Sequence, residues 1–200
     1  MRARLPSRKS IPFPDYDYST PGAYFVTICV QRRLCLFGTI ADESIELNPV
    51  GQAAERGWRE LPEKFPTVEA KDVVVMPNHL HGIIGIRDDD VGVAPCGRPL
   101  ETGAQKDGRP HRGAPTLARI INWFKTMTTN EYIRQVNASG WPPFSARLWQ
   151  RGYFEHVIRN ATELRTIREY IAKNPERWAS DPQNSASRIS ANTAQPEWLR

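Results

Sequence analysis

The chain has 200 residues, 40% of them hydrophobic, and its 27 Lys and Arg against 22 Asp and Glu give a net charge of +5. This length suits one domain, and the basic balance favours a polyanionic partner such as nucleic acid. The three cysteines are odd in number and lack CxxC spacing, which argues against a disulfide framework or a four-cysteine zinc site. No apolar run suits a membrane span, and the basic N-terminus lacks the apolar segment of a secretory signal, so we expect a reduced, cytoplasmic protein.

The first segments predict an extended arm, a strand and a hairpin. Residues 1–22 are basic and then rich in Pro and Tyr, and we expect them to form the arm. "AYFVTICVQRR", residues 23–33, is β-branched and aromatic, which is typical of a strand. "LCLFGTI" and "ESIELN" then indicate a short hairpin around residues 41–43.

A helix and two strands are predicted next. Asn48 can cap a helix and Pro49 suits its first turn. "VEAKDVVVMP", residues 68–77, predicts a second strand, and "HLHGIIGI", residues 79–86, a third after a short turn. The apolar residues of the helix recur near helical spacing at Val50, Ala53, Ala54, Trp58 and Leu61.

The second half of the chain begins with residues 88–115, which are rich in Gly, Pro and charge and are predicted to be a flexible insertion. "TLARIINWFKTMTTNEYIRQV" then predicts an amphipathic helix. A last helix starts with Asn160 as its cap and ends before Pro175. We expect one domain over residues 23–178 and a polar tail over 179–200. The mixed order of strands and helices indicates an α+β fold with an antiparallel sheet.

Two of the four histidines stand one residue apart in the apolar run "VVVMPNHLHGIIGI". In a strand, residues i and i+2 point the same way, so His79 and His81 project from one surface while Leu80 and Gly82 face the other. Neutral imidazole is a good ligand for divalent transition metals, so the pair can supply two ligands of a metal site. The alternative is that one histidine packs and the other hydrogen-bonds near the turn.

Tyr170 and Asn174 lie four residues apart and therefore on one face of the last helix. The position of Tyr170 beside the apolar stripe would let its hydroxyl reach a cleft. An aromatic residue at the edge of the core with a wet hydroxyl fits the same spacing. Spacing alone does not separate a catalytic from a structural tyrosine.

"VVVMPNHLHGII", followed by "WQRGYFEHVIRN" and "REYIAKNPERW", resembles the HUH single-tyrosine transposases, and among them the REP-associated tyrosine transposases. The opening "PGAYFVTICVQRRLCLFG" is also similar, and the resemblance covers residues 16–178 with the motifs in the same order. It implies a ferredoxin-like antiparallel sheet with packed helices, the HUH endonuclease fold.

The resemblance also implies a site and a reaction. His79 and His81 correspond to the HUH metal ligands, Tyr170 to the nucleophile, and Asn174 to the polar residue that completes the metal site. An amide oxygen is a poorer ligand than a carboxylate, which favours exchangeable Mg²⁺ or Mn²⁺ over zinc. The implied function is cleavage and strand transfer of single-stranded DNA at hairpin-bearing sequences, such as repetitive palindromic elements, through a 5′-phosphotyrosine, by a monomer or homodimer.

A DNA surface is predicted where arginines and aromatic residues interleave, because this mixture suits single strands. The alternative is a solvated surface over core aromatics. Tyr153 is the rival nucleophile, and His156 could contact DNA, assist proton transfer or make a local hydrogen bond. The candidate DNA-binding residues are Arg147, Trp149, Arg151, Tyr153, His156 and Arg159, with a basic N-terminal clamp of Arg2, Arg4, Arg8 and Lys9.

Two other functions remain open from the sequence. A non-catalytic protein that binds DNA hairpins would bind without forming a covalent adduct. A metal-dependent phosphodiesterase acting on a small nucleotide would keep its turnover in a Tyr170→Phe variant.

Overall fold

A computed structural model of the chain describes residues 20–88, 115–181 and 183–184. Most of the predicted arm and insertion, with His111, and most of the polar tail lie outside these residues. The basic clamp predicted near the N-terminus lies outside them as well. None of the helices that the structure describes is both long and apolar enough to cross a membrane.

Seven strands and four α-helices make up the described part of the chain. In chain order they are β1 (Gly22–Cys29), β2 (Gly38–Ala41), β3 (Ser44–Leu47), α1 (Pro49–Arg59), α2 (Leu61–Lys64), β4 (Val68–Glu69), β5 (Val73–Met76), β6 (His79–Ile86), α3 (Leu117–Ser139), β7 (Phe154–Ile158) and α4 (Ala161–Ala172). Short 3₁₀ helices cover Gln31–Arg33 and Pro175–Ser180.

The main sheet is antiparallel, with strand order β4–β6–β1–β7 and with β5 also paired to β6. Along the chain, its elements run strand, helix, strand, strand, helix, strand, with β4 and β5 together occupying the second strand position. This order and these neighbours are those of a ferredoxin-like split βαβ fold. The predicted α+β class with an antiparallel sheet and packed helices is confirmed, and β2 and β3 form the predicted hairpin apart from this sheet.

One face of the central strands builds the larger core, against α1 and α3. Tyr24, Val26 and Ile28 of β1 belong to this core. Gly82 of β6 also faces it, and a Cβ atom at Gly82 would lie 2.3 Å from Trp58 Cζ2. A glycine is therefore required for the Trp58 ring to lie directly on the sheet.

The opposite face of the sheet is covered by α4. Phe25 of β1, Ile83 of β6 and Ile158 of β7 form a smaller apolar cluster with Ile167 and Ile171 of α4. The rest of this face is polar, because β1 and β6 pair in a register that sets Thr27 opposite His81 and Cys29 opposite His79. These buried side chains are the start of the candidate site.

The helix caps agree with the sequence. Asn48 Oδ1 accepts from the Gly51 amide at the start of α1, and Asn160 Oδ1 accepts from the Glu163 amide at the start of α4. The long helix α3 ends at Gly140, whose φ of 67° lies in the left-handed region that glycine adopts at little cost.

Two predicted strands are wrong in extent. The segment predicted as one strand over 68–77 is divided into β4 and β5, because three residues at 70–72 lie opposite two residues of β6 in a bulge. The strand predicted over 23–33 ends at Cys29, since Arg32 and Arg33 adopt φ values of 57° and 56°, which no strand accommodates.

Candidate active site

The two histidines of β6 point at each other across a very short distance. His79 Nε2 lies 2.9 Å from His81 Nε2, and both side chains are almost fully buried. Burial lowers the pKa of His81 to about 3 and places the pKa of His79 well below its usual value, with the charges of His81 and Arg33 adding to the effect on His79. Both imidazoles are therefore neutral near pH 7, the form that binds metal ions.

Asn78 fixes the tautomer of His79. Its Nδ2 donates to the carbonyl oxygens of Arg33 and Gln183 at 3.3 and 3.0 Å. Because carbonyls only accept, this orientation leaves Asn78 Oδ1 to accept from His79 Nδ1–H, at 2.8 Å. His79 Nε2 then carries a lone pair that points toward His81.

Thr27 plays the corresponding part for His81. Its Oγ1 lies 2.8 Å from His81 Nδ1 across the β1–β6 pair. A hydroxyl can donate or accept, so Thr27 accommodates either tautomer of His81. When His81 Nδ1 carries the proton, the Nε2 lone pairs of both histidines face the same point, as the ligands of a metal ion require.

A carboxylate completes the group. Asp181, just after the Pro175–Ser180 helix, places its carboxylate so that His79, His81 and Asp181 offer ligand atoms within 4.8 Å of one another. Its Oδ2 lies 3.6 Å from His79 Nε2, and its Oδ1 accepts from the Gln183 amide. Burial raises the pKa of Asp181 to about 6, while the Gln183 amide and Arg33 act in the opposite direction.

This donor set fits a divalent metal ion. Cis ligands about 2.1 Å from one ion lie about 3 Å apart, close to the spacing of the two Nε2 atoms. Two neutral imidazoles and a carboxylate form the mixed nitrogen and oxygen set that first-row divalent ions accept. The two Nδ1 atoms are already held by Asn78 and Thr27, as in metal-bound histidines generally.

Tyr170 lies beside the histidines. Its ring contacts those of His81 and Phe25, with centroids 5.3 and 6.0 Å away. Burial and the nearby Asp181 carboxylate raise the pKa of Tyr170 to about 12, while a hydrogen bond from Asn174 and the charge of Arg177 act in the opposite direction. The phenol is protonated near pH 7 and must lose its proton to act as a nucleophile.

Asn174 is buried next to Tyr170, but α4 ends at Ala172, so Asn174 lies just beyond the helix that the sequence predicted to hold it. Its side chain is 1% exposed, and its Oδ1 has no hydrogen-bond partner among the residues that the structure describes. An unpaired buried carbonyl oxygen is costly, and a bound cation would satisfy it. The structure thus joins Asn174 to Tyr170, and among the His, Cys, Asp and Glu side chains that it describes, it groups Asp181 with the histidines.

The segment after α4 closes over the histidines. Trp178 lies with its ring centroid 6.1 Å from that of His79. Gln183 accepts at its backbone oxygen from Asn78 and from Arg33 Nη1, and its Oε1 accepts from the Cys29 thiol. These contacts hold Asp181 in position.

Comparison with known proteins supports the resemblance found in the motifs. No family model matches the chain. An uncharacterized protein of Haemophilus influenzae is 36% identical over 183 residues, which span 90% of this chain and 94% of that protein. A second protein of the same organism, described as a putative REP-associated tyrosine transposase, is 23% identical over 162 residues, 80% of this chain and 73% of that protein. The second match agrees with the resemblance to the REP-associated tyrosine transposases that the motifs of this chain indicate.

A solved structure of a REP-associated tyrosine transposase bound to a REP hairpin is also similar. Its TM-score is 0.47 at 21% identity, over 78% of this chain and 68% of that chain.

The residues predicted to bind DNA occupy different settings in the structure. Arg147, Arg151 and Arg159 are exposed. Trp149 is 4% exposed, packs in the larger core and donates from Nε1 to Thr128 Oγ1. It offers no free ring face to a base, so we leave Trp149 out of the DNA surface.

Tyr153, the rival nucleophile, packs against the larger core under the Lys125 ammonium, which lies 5.5 Å from its ring centroid. Tyr170 belongs instead to the smaller cluster beside the histidines. The structure therefore brings Tyr170, and not Tyr153, into ring contact with His81.

His156 of β7 attaches the start of α4 to the sheet through a hydrogen bond. Its Nε2 lies 2.7 Å from Glu163 Oε1, and Glu163 Oε2 accepts from the Arg159 amide. Burial opposes ionisation of Glu163, but these hydrogen bonds outweigh it and lower the pKa of the carboxyl. Of the roles considered for His156, the local hydrogen bond is the one present.

Asp181 is the residue that sequence reasoning missed. It lies outside the HxH and tyrosine motifs, 100 residues after His81, in a segment predicted to be a loose tail. The sequence holds one signal for it: an aspartate shortly after Pro175, the residue predicted to follow the helix that contains Tyr170.

Proposed function

We propose that this chain cleaves and rejoins single-stranded DNA at hairpin-bearing sequences, in a metal-dependent reaction with Tyr170 as the nucleophile. The observation that carries the proposal is the convergence of His79, His81 and Asp181 beside the Tyr170 ring. The similarity to a putative REP-associated tyrosine transposase supports DNA as the substrate.

Four side chains contribute to the metal site in this proposal. The two Nε2 atoms of His79 and His81 and the carboxylate of Asp181 would hold a divalent ion, Mg²⁺ or Mn²⁺, and Asn174 Oδ1 would be a further oxygen donor. When bound, the ion supplies Lewis-acid polarisation of the scissile phosphate. The unpaired Asn174 oxygen supports its place near the ion.

Tyr170 performs the covalent step. Its oxygen attacks the phosphorus and forms a P–O bond, while the bond from phosphorus to the 3′-oxygen breaks. The phenolic proton leaves to solvent, and the departing 3′-oxygen gains a proton to become a hydroxyl. The product is a 5′-phosphotyrosine that another 3′-hydroxyl can attack in reverse, so strands are joined without an external energy source.

Asn174 and Arg177 assist by stabilising the ionised phenol, since both lower the pKa of Tyr170 against the effect of burial. The ring contacts with His81 and Phe25 fix the direction of the phenol relative to the histidines. Such positioning reduces the entropy cost of bringing the nucleophile and the phosphate together. The proposed setting is the cytoplasm, where the DNA substrate is found.

The proposal is tested by a denaturing-gel assay for covalent protein–DNA adducts. Labelled single-stranded oligonucleotides that carry hairpins from repeats flanking the gene are incubated with the protein and Mn²⁺ or Mg²⁺. Wild type is compared with Tyr170→Phe, with the matched control Tyr153→Phe and with His79→Ala/His81→Ala. A parallel set contains a chelator in place of the metal.

We expect a slower-migrating adduct in wild type and in Tyr153→Phe that is absent from Tyr170→Phe, from the double histidine variant and from the chelated samples. An adduct that persists in Tyr170→Phe would contradict the assignment of the nucleophile. Tight hairpin binding without any adduct would favour the alternative hypothesis of a non-catalytic protein that binds DNA hairpins. Turnover of a small nucleotide that survives Tyr170→Phe would favour the phosphodiesterase.

A further inference from the structure

An open groove of about 450 Å³ lies outside the candidate active site, between α3 and the segment that precedes β7. Asn122 and Asn130 of α3 line one wall, and Arg147 and Arg151 line the other. Lys125 lies between the two walls. The reaction proposed above does not use this groove.

The groove is positively charged. Its three ionisable lining residues are Lys125, Arg147 and Arg151, and no acidic side chain lines it among the residues that the structure describes. Arg147 and Arg151 are exposed, and neither side chain forms an ion pair within the described ranges. Two unpaired guanidinium groups beside an ammonium provide a site for phosphate groups.

Lys125 is fixed in place at the base of the groove. Its Nζ donates to the backbone oxygens of Gln150, Arg151 and Gly152 at 2.9, 3.3 and 2.9 Å. Burial lowers the pKa of Lys125 to about 8, with the Cys29 thiol acting in the opposite direction, so the ammonium remains largely charged near pH 7. These bonds tie the second wall to α3 and set the width of the groove.

The wall of the groove that α3 forms also carries uncharged polar and apolar side chains. The amide side chains of Asn122 and Asn130 have no hydrogen-bond partner in the part of the chain that the structure describes, and they stand on one face of α3, eight residues or about 12 Å apart. Beyond them, Ile133 is 47% exposed and lines the groove together with the partly buried Phe144. Free amides with an apolar end suit unpaired bases, whose edges and faces are both accessible, better than a duplex.

The groove lies near the end of the sheet that carries the candidate active site. Gln150, at its edge, donates from its amide to the Cys29 oxygen and from Nε2 to the Val30 oxygen. Cys29 is paired with His79 in the sheet. Gln150 therefore connects the groove to the end of β1 that borders the histidines.

We propose that this groove binds the single-stranded segment of DNA that continues from the strand cleaved at Tyr170. Arg147 and Arg151 hold its phosphates, and Asn122 and Asn130 contact its bases. This inference rests on the proposed function for its choice of ligand, and it adds a binding surface that is separate from the chemistry.

The test measures binding alone, so that it does not depend on cleavage. Fluorescence anisotropy follows a labelled single-stranded oligonucleotide of mixed sequence, and separately its blunt duplex, on a Tyr170→Phe background in the presence of a chelator. The groove variant is Arg147→Glu/Arg151→Glu. The matched control is Lys64→Glu/Arg119→Glu, which changes the net charge equally at exposed positions outside the groove.

We expect the groove variant to lose affinity for the single strand on the order of tenfold or more, with the salt dependence of log K falling by about 0.7 for each phosphate that the protein no longer neutralises. The control variant and the affinity for duplex should change much less. Asn122→Ala/Asn130→Ala should weaken binding of the single strand while leaving the salt dependence unchanged. Circular dichroism confirms that each variant is folded.

Equal losses of affinity for the single strand and the duplex would overturn the inference. They would show that the groove attracts DNA only through its positive charge. A groove variant that binds like the control would overturn it as well. The adduct assay could fail while the groove variant still loses affinity selectively for the single strand. That result would support the groove as a DNA-binding site and contradict only the proposed cleavage reaction.

Discussion

The two faces of the sheet use the same strands for different purposes. On the face toward α1 and α3, β1 and β6 present apolar side chains and one glycine, and Trp58 lies fully buried against them. On the face toward α4, the alternate residues of the same strands are Thr27, His79 and His81, also buried. Because side chains alternate along a strand, one pair of strands can stabilise the fold and carry the site.

The difference between the two faces indicates that stability and function depend on different sides of the sheet. Buried polar groups cost free energy unless they are paired, and on the α4 side each histidine is held at Nδ1 by a neighbour. The unpaired Asn174 oxygen is the exception on this side. We infer that the face toward α1 and α3 supplies most of the folding free energy and that the α4 face is organised for ligands.

The largest effect is expected on the face toward α1 and α3. Trp58→Ala should lower the free energy of unfolding by about 3–5 kcal/mol, because it empties the space that the Trp58 ring fills against Gly82. Urea unfolding followed by circular dichroism measures this loss. A loss below about 1 kcal/mol would show that this face is not the main source of stability.

Removal of the carboxylate should affect the metal and not the fold. Asp181→Asn should weaken Mn²⁺ binding by on the order of a hundredfold, since it removes an anionic ligand beside the two imidazoles. Isothermal titration calorimetry with Mn²⁺ measures the change, and Asn174→Ala serves as the comparison. If Asn174→Ala weakens binding more than Asp181→Asn does, the third ligand is the amide that the sequence resemblance implied.

A smaller effect on the metal is expected from the residue that orients His79. Asn78→Ala should weaken Mn²⁺ binding by about 10–100-fold, because His79 loses the acceptor that fixes its tautomer. Asn160→Ala removes an asparagine that caps α4 and should leave Mn²⁺ affinity unchanged. Equal losses in both variants would point to a general loss of structure.

The smallest effect concerns the attachment of α4 to the sheet. Glu163→Gln should cost about 0.5–1.5 kcal/mol at neutral pH, since it weakens the bonds to His156 and to the Arg159 amide. The folded-state pKa of Glu163 is lowered, so its stabilisation is present above the unfolded pKa and is lost as the pH falls through the folded pKa. Unfolding curves across acidic pH should therefore converge for wild type and variant, and a constant difference would contradict this sign.

Much of the fold followed from local sequence. The caps at Asn48 and Asn160, the hairpin and the paired orientation of His79 and His81 depend on residues close to one another, and these predictions are confirmed. The bulge that divides β4 from β5 could not be predicted, because it depends on pairing with β6.

The site was predictable only where its residues share a motif. The histidines come from adjacent positions of one strand, whereas Asp181 reaches them through tertiary packing of the segment after α4. Its position depends on contacts of Gln183 with Asn78 and Arg33, which no pattern in the sequence reveals. Burial of Trp149 likewise depends on Thr128 and the larger core and not on its arginine neighbours.

The most direct measurement is to locate the DNA on the protein by tandem mass spectrometry. Adduct formed with Mn²⁺ is digested with nuclease and protease, and the peptide that carries the residual nucleotide is sequenced. We predict a 5′-phosphotyrosine at Tyr170, formed only with the metal present. A nucleotide on Tyr153 or on any other residue, or an adduct of equal yield in the presence of a chelator, would contradict the assignment of the α4 face as the site of metal-dependent chemistry.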